Sequence, residues 1–274
     1  MVGCTNSKSN VEPLNIVTWG GGTYSEISDM LDLHYSGRID ISRYWAVGDT
    51  RTESITTISD GTVGESQPTQ DIELIIIGFN HDNLSNSING INKAAVTVQT
   101  KDCLDEAGYM HYVGTINSSN TDGWWGTSNR KAWCNNDFFD ALQPGLSTLI
   151  KNVSKISNNY TDYDGQYHSM GQSVNTVDKI FLLSEFEIFG TSYVGSEYTT
   201  DTDESDGSQY TYMTTSTNRR KYCSTLDDGP GYEYWTRTSW IDNSGNLFYI
   251  QVVNTSGDSY NCNENLGIAP AFCL

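Results

Sequence analysis

Lys179-Ile180-Phe181-Leu182-Leu183-Ser184-Glu185-Phe186-Glu187-Ile188-Phe189-Gly190 is the stretch on which the reading of this chain turns. Lys179 to Leu183 is a short, almost continuous apolar run of the kind that forms a buried strand. Ser184 and Glu187 then make a capping box. The hydroxyl accepts from the backbone N–H three residues on, and the carboxylate reaches back to the N–H of the cap. A short helix therefore starts at once and runs through Ile188 and Phe189 to Gly190. A strand followed directly by a helix, in a chain with many other short strands, predicts an α+β fold of mixed strands, a few helices and much irregular loop.

Upstream, Thr23 and Glu26 make a second capping box, and Ile27, Met30, Leu31 and His34 follow at helical spacing until Gly37. This predicts a helix over 24–35 with His34 packed in the core. Strands are predicted at 42–48, 55–58, 71–79 and 96–99, with the Asn/Ser-rich 80–92 stretch as a loop. The broad apolar face of 129–142 predicts a helix that Pro144-Gly145 breaks, with a second short helix over 146–150. Downstream, 190–230 is mostly polar and closes in the turn Asp227-Asp228-Gly229-Pro230-Gly231. Strands are predicted at 234–238, 247–253 and 267–273. No repeat or linker divides the chain, which predicts one domain over 13–274 after a flexible polar segment, 1–12.

The chain has 274 residues, 15 Lys+Arg against 34 Asp+Glu, a net charge of −19 and 12% aromatic residues. A chain of this length buries roughly 70–75% of its unfolded surface, and its aromatic content argues against disorder. The charge repels phosphate backbones, and Arg219-Arg220-Lys221 is too small a basic cluster to reverse that, so nucleic acid is not an expected partner. No run approaches 18 apolar residues, so direct membrane insertion is not expected either. No signal peptide is recognisable. The six cysteines, Cys4, Cys103, Cys134, Cys223, Cys262 and Cys273, have long separations and no CxxC, and are expected to be buried or idle reduced thiols. Cys262 with Cys273 is the first pair to test for a bridge.

Enzyme signatures fail. HExxH, GxSxG and a Walker loop are absent, and Gly20-Gly21-Gly22 reads as a turn before the first helix. Gly257-Asp258-Ser259 matches a fragment of a serine-protease loop but departs at Tyr260-Asn261. No histidines stand four apart. Asp201, Asp203, Glu204 and Asp206 gather oxygen ligands of the kind calcium takes, but miss the EF-hand spacing, so a solvated acidic loop is preferred. No metal or other cofactor is expected, calcium at that loop being the one candidate.

The region 238–265 carries more. Ser239, Trp240, Asp242, Asn243, Ser244, Asn246, Tyr249, Gln251, Asn254, Asp258, Tyr260, Asn263 and Glu264 mix tyrosine and tryptophan with short hydrogen-bonding side chains, as antibody paratopes do. In the 247–253 strand, Phe248, Ile250 and Val252 share one face while Tyr249 and Gln251 share the other. The first face is expected in the core and the second at a ligand. Trp240, Tyr249 and Tyr260 would anchor, while the amides and carboxylates set specificity. The plain alternative is an ordinary polar loop and edge strand.

Several motifs carry a resemblance. They are Ile39-Asp40-Ile41-Ser42-Arg43-Tyr44-Trp45, Arg130-Lys131-Ala132-Trp133-Cys134, Leu183-Ser184-Glu185, Tyr234-Trp235-Thr236-Arg237 and Leu266-Gly267-Ile268-Ala269-Pro270. Together they resemble a family of uncharacterised phage and prophage proteins of gut bacteria. That family looks like the C-type-lectin fold in its formylglycine-generating-enzyme variety, and such domains also serve as variable proteins of diversity-generating retroelements. The resemblance implies a rigid scaffold presenting a changeable C-terminal ligand-binding face to a host or cell-surface protein or glycan. It also implies a place in a phage tail or at a bacterial surface, with oligomers allowed. The paired redox cysteines of the oxidising enzymes and the calcium–sugar motif of animal lectins are not recognisable. The expected function is therefore binding without catalysis. A metal-dependent oxidase, a glycan-active enzyme and a purely structural virion component remain the alternatives.

Overall fold

The computed structural model describes residues 15–59, 66–111, 124–158, 173–191, 207–226, 229–241 and 247–274. In chain order its elements begin with α1 (Tyr24–Tyr35), β1 (Thr50–Ile55), β2 (Gln70–Phe79), β3 (Asn83–Ile88), β4 (Ile91–Lys93) and β5 (Val96–Thr100). Next come α2 (Asn129–Trp133), which passes through a π-turn into α3 (Phe139–Ala141), then α4 (Pro144–Ser147), β6 (Val153–Asn158), β7 (Ser173–Asp178), β8 (Ile180–Phe181) and α5 (Glu185–Phe189). The last are β9 (Glu233–Ile241), β10 (Leu247–Val253), β11 (Ser256–Asn261) and β12 (Ala271–Cys273). The fold is α+β and mostly antiparallel sheet, in the orders β1-β2-β5-β12-β8, β4-β3-β6-β7 and β11-β10-β9.

Local chemistry explains the elements. Thr23 and Ser184 both close the reciprocal capping boxes expected of them. Gly190, in the left-handed region at φ 75°, stops α5. Pro144 takes the first position of α4, where its missing N–H is harmless. A single apolar core draws on all three sheets and the helices, with Trp19, Trp125, Trp133 and Trp235 all fully buried in it. His34 is buried as expected, and its Nδ1 accepts from the N–H of Ile41 at 3.4 Å.

Five expectations are corrected. Residues 42–48 are not a strand: Asp40 accepts from the N–H of Ser42 and winds 41–43 into a 3-10 turn. The first strand ends at Ile55, where 55–58 had been expected to begin one. The stretch 80–92 is not a loop but the β3–β4 hairpin, turned by Asn89 and Gly90 at φ 50° and 85°, the positive pair a two-residue hairpin needs. In place of a helix over 146–150, α4 covers Pro144–Ser147. The 267–273 strand shrinks to β12, with Gly267 bridging Tyr234 instead. Beyond these, β6 and β7 had no sequence expectation.

Candidate functional site

The C-terminal sheet is a hairpin laid on β9, and β9 is fastened to the core along its length. The indole N–H of Trp235 donates to the Gly108 carbonyl at 2.7 Å, and the Tyr234 hydroxyl donates to the Arg219 carbonyl at 2.7 Å. Arg237 donates to the Leu182 carbonyl at 3.0 Å and to the Ile156 carbonyl at 3.2 Å. On β10, the Tyr249 hydroxyl meets His111 Nε2 at 2.9 Å and its ring stands edge-on to Trp235. Burial pushes His111 down to about 4, so it holds this contact as a neutral imidazole. The sheet therefore has little freedom to shift.

Beside this frame lies a groove of about 400 Å³. Leu226, Gly229, Pro230, Gly231 and Leu266 give it an apolar wall. Glu233, Tyr260, Glu264 and Asn265 give it two carboxylates, a ring and an amide. Tyr260 is 41% exposed although its cross-strand neighbour Tyr249 is wholly buried. The 223–231 loop is closed at its neck by paired backbone bonds between Cys223 and Gly231, at 2.9 and 3.0 Å. A disulfide from Cys223 to Cys103 ties that neck to the body of the fold. Gly267 lies against this tie, and a Cβ there would come within 2.2 Å of Cys223 Sγ and 2.7 Å of the Glu233 carbonyl, so only glycine fits.

The family model described as Domain of unknown function (DUF6273) matches residues 95–274, which includes every residue of the groove. The chain belongs to the DUF6273 family. No curated protein and no solved structure matches it.

A second polar centre of this DUF6273 chain lies deep in the fold. Lys155 of β6 donates to Asp82, to Glu187 Oε1 at 2.6 Å and to Tyr210 Oη at 3.3 Å. Arg237 pairs with Glu187, and Tyr210 donates to Asp82 Oδ2 at 2.8 Å. Thr97 also donates to Asp82, and the Ser184 N–H donates to Glu187 Oε2 at 3.0 Å. Burial would raise Asp82, but Lys155 and His81 outweigh it and hold its carboxyl well below the usual range. Burial likewise works against Glu187, and Arg237 and Lys155 reverse it. A cavity of about 150 Å³ opens onto the cluster. Lys155 has spent its three protons on internal acceptors and its carboxylate partners hold it protonated, so it has no lone pair to offer as nucleophile or base. The cluster ties the segment through Tyr210 to β6, β9 and α5.

The sequence-predicted ligand residues divide. Asn254, Asp258, Tyr260 and Asn263 are exposed and Glu264 is half-buried. Of these, the groove gathers Tyr260 and Glu264. Ser239, Tyr249 and Gln251 are corrected: all three are buried, because the face carrying Tyr249 and Gln251 packs on Trp235 and His111. Asp242, Asn243, Ser244 and Asn246 lie outside the described residues, as does the side chain of Trp240. The acidic loop with Asp201, Asp203 and Asp206 also lies outside them; among the described residues no group of three or more His, Cys, Asp or Glu could hold a metal ion.

The cysteine expectation is corrected for one pair: Cys103 and Cys223 are joined, whereas Cys134, Cys262 and Cys273 are buried and outside any disulfide, as expected, and Cys4 lies outside the described residues. Cys273 packs on Thr97 and Asp82, whereas the Cys262 carbonyl accepts from Met110 and His111 beside the other sheet. Glu233 and Leu226 escaped the sequence reading because the groove wall lies before the paratope-like stretch. The Gly229-Pro230-Gly231 turn was the one signal that pointed there.

Proposed function

We propose that this chain is a non-enzymatic binding protein that presents its C-terminal sheet and groove to a host or cell-surface ligand. The observation that carries the reading is Tyr260, an exposed ring lining a groove with an apolar wall and two carboxylates, on a sheet held to the core by Trp235, Tyr249 and Arg237. A stiff frame limits the ordering entropy that binding has to overcome, and an exposed tyrosine is an efficient anchor. On this reading Asn254, Asp258, Asn263 and Glu264 join Tyr260 as contacts, whereas Ser239, Tyr249 and Gln251 belong to the frame. The proposal extends the resemblance to a C-type-lectin-like fold of the formylglycine-generating-enzyme variety, carried on a phage tail or a bacterial surface as a receptor-binding or display protein. Its C-terminal stretch would be the part open to retroelement diversification.

The test is an array of bacterial surface glycans and intact host cells, probed with wild type and Tyr260→Ala. Binding by the wild type and its loss in the variant, with the urea midpoint unchanged, is the expected result. Unfolding of Tyr260→Ala, or a wild type that binds nothing on the array, would remove the basis for the reading.

A further inference from the structure

We propose that the groove takes an arginine-bearing basic segment of a partner protein. This rests on the groove's being the ligand site and names the chemistry of what fills it. Glu233 and Glu264 bring two negative charges to the groove, and none of its lining residues is Lys, Arg or His. All of the chain's lysines and arginines except Lys8 lie among the described residues, where none lines the groove. The undescribed stretches 112–123, 227–228 and 242–246 contain no Lys or Arg in their sequences. Among the described residues no cation therefore lines the groove beside the carboxylates, in a protein whose net charge of −19 draws in positive partners from a distance.

The chain itself shows what such a set of groups accepts. Near the first helix a tyrosine and a glutamate are filled by an arginine: Arg51 pairs with Glu53 and lies 4.8 Å from the Tyr24 ring, whose hydroxyl also donates to Glu53. Arg220 lies over the Tyr232 ring at 3.8 Å, a second stacking of guanidinium on tyrosine. The groove repeats this set, with Tyr260 beside Glu233 and Glu264, and adds an apolar wall of Leu226, Pro230 and Leu266. An arginine side chain fits both parts. Its methylene stem covers apolar surface, while the planar guanidinium stacks on a ring and forks onto a carboxylate. A neutral sugar would use the ring and leave the two charges uncompensated.

The test is fluorescence anisotropy with a labelled arginine–glycine repeat peptide and its citrulline analogue, which keeps shape and loses charge. Four proteins are compared: wild type, Glu233→Gln/Glu264→Gln, Tyr260→Ala, and Asp29→Asn/Asp32→Asn, which removes the same charge from exposed positions on α1. The expected result is binding of the arginine peptide to wild type and to the α1 control within about twofold. The double glutamine variant should be weaker by at least about tenfold, equivalent to about 1.4 kcal/mol. Tyr260→Ala should also be weaker, and the citrulline peptide should not bind. Equal weakening in the α1 control would make the effect one of overall charge and overturn the proposal, as would no binding at low salt. A parallel arm uses immobilised neutral oligosaccharides. A sugar bound in a Tyr260-dependent way, with no peptide binding, would overturn the arginine inference and leave the groove as a ligand site. If neither probe binds, both fall.

Discussion

The deep cluster and the outer groove are built from the same kinds of residue and come to opposite ends. In the cluster, Asp82 and Glu187 meet the cations Lys155 and Arg237 inside the fold. In the groove, Glu233 and Glu264 stand beside Tyr260 with no cation among the lining residues. Carboxylates alone therefore do not mark a binding site. What separates the two regions is whether the fold supplies the countercharge: where it does, the group holds the structure together, and where it does not, the charge is left for a partner.

Removing a countercharge should give the largest effect. Lys155→Met leaves Asp82 and Glu187 buried beside one fewer cation, and should lower stability by about 3–5 kcal/mol in urea unfolding. A loss below about 1 kcal/mol would mean that the cluster is not the lock described here. Acid should act next. His111 is held at about 4, against an unfolded value of about 6.5. The unfolded chain therefore takes up its proton first as pH falls, and stability should decline by about 3 kcal/mol between roughly pH 6.5 and 4. The depressed carboxyls of Asp82 and Glu187 add a further decline below about pH 4, since they too bind protons more readily when unfolded. In His111→Gln the upper part of that slope should vanish from a plot of urea midpoint against pH; an unchanged slope would assign it elsewhere.

Gly267→Ala should come third, at about 1–3 kcal/mol, because the added methyl meets the disulfide and the Glu233 carbonyl. It should also loosen the groove wall, seen as faster hydrogen exchange in 223–231. The smallest effect is expected where the comparison predicts a free surface. Glu233→Gln and Glu264→Gln should each change stability by no more than about 0.5 kcal/mol. A larger loss would show that these carboxylates hold the fold after all.

Much of the fold was legible because local chemistry spoke for itself. Thr23 with Glu26 and Ser184 with Glu187 placed α1 and α5 to the residue, and the apolar run of β10 gave its bounds. The failures share a cause. The β3–β4 hairpin and β6 are written in Asn, Ser and Lys, so alternation is faint. Lys155 sits at a core position that only the distant Asp82 and Glu187 make tolerable. The Asn89-Gly90 turn was a hairpin signal passed over inside a polar stretch. The site was half legible. Composition found Tyr260 and Glu264, but period-two alternation missed that β10 is covered on both faces: Val252 is buried on one, and on the other Tyr249 is buried because its hydroxyl is satisfied by His111, far off in sequence. Glu233 and Leu226 enter the groove only through pairings that no local pattern encodes.

The neck at Cys223 and Gly231, with its covalent tie to Cys103, also bears on engineering. Paired backbone hydrogen bonds between Cys223 and Gly231 bring the two ends of the loop together. Replacement sequences of other lengths can therefore be spliced in there, as loops are exchanged on an antibody framework, while the wall opposite them stays put.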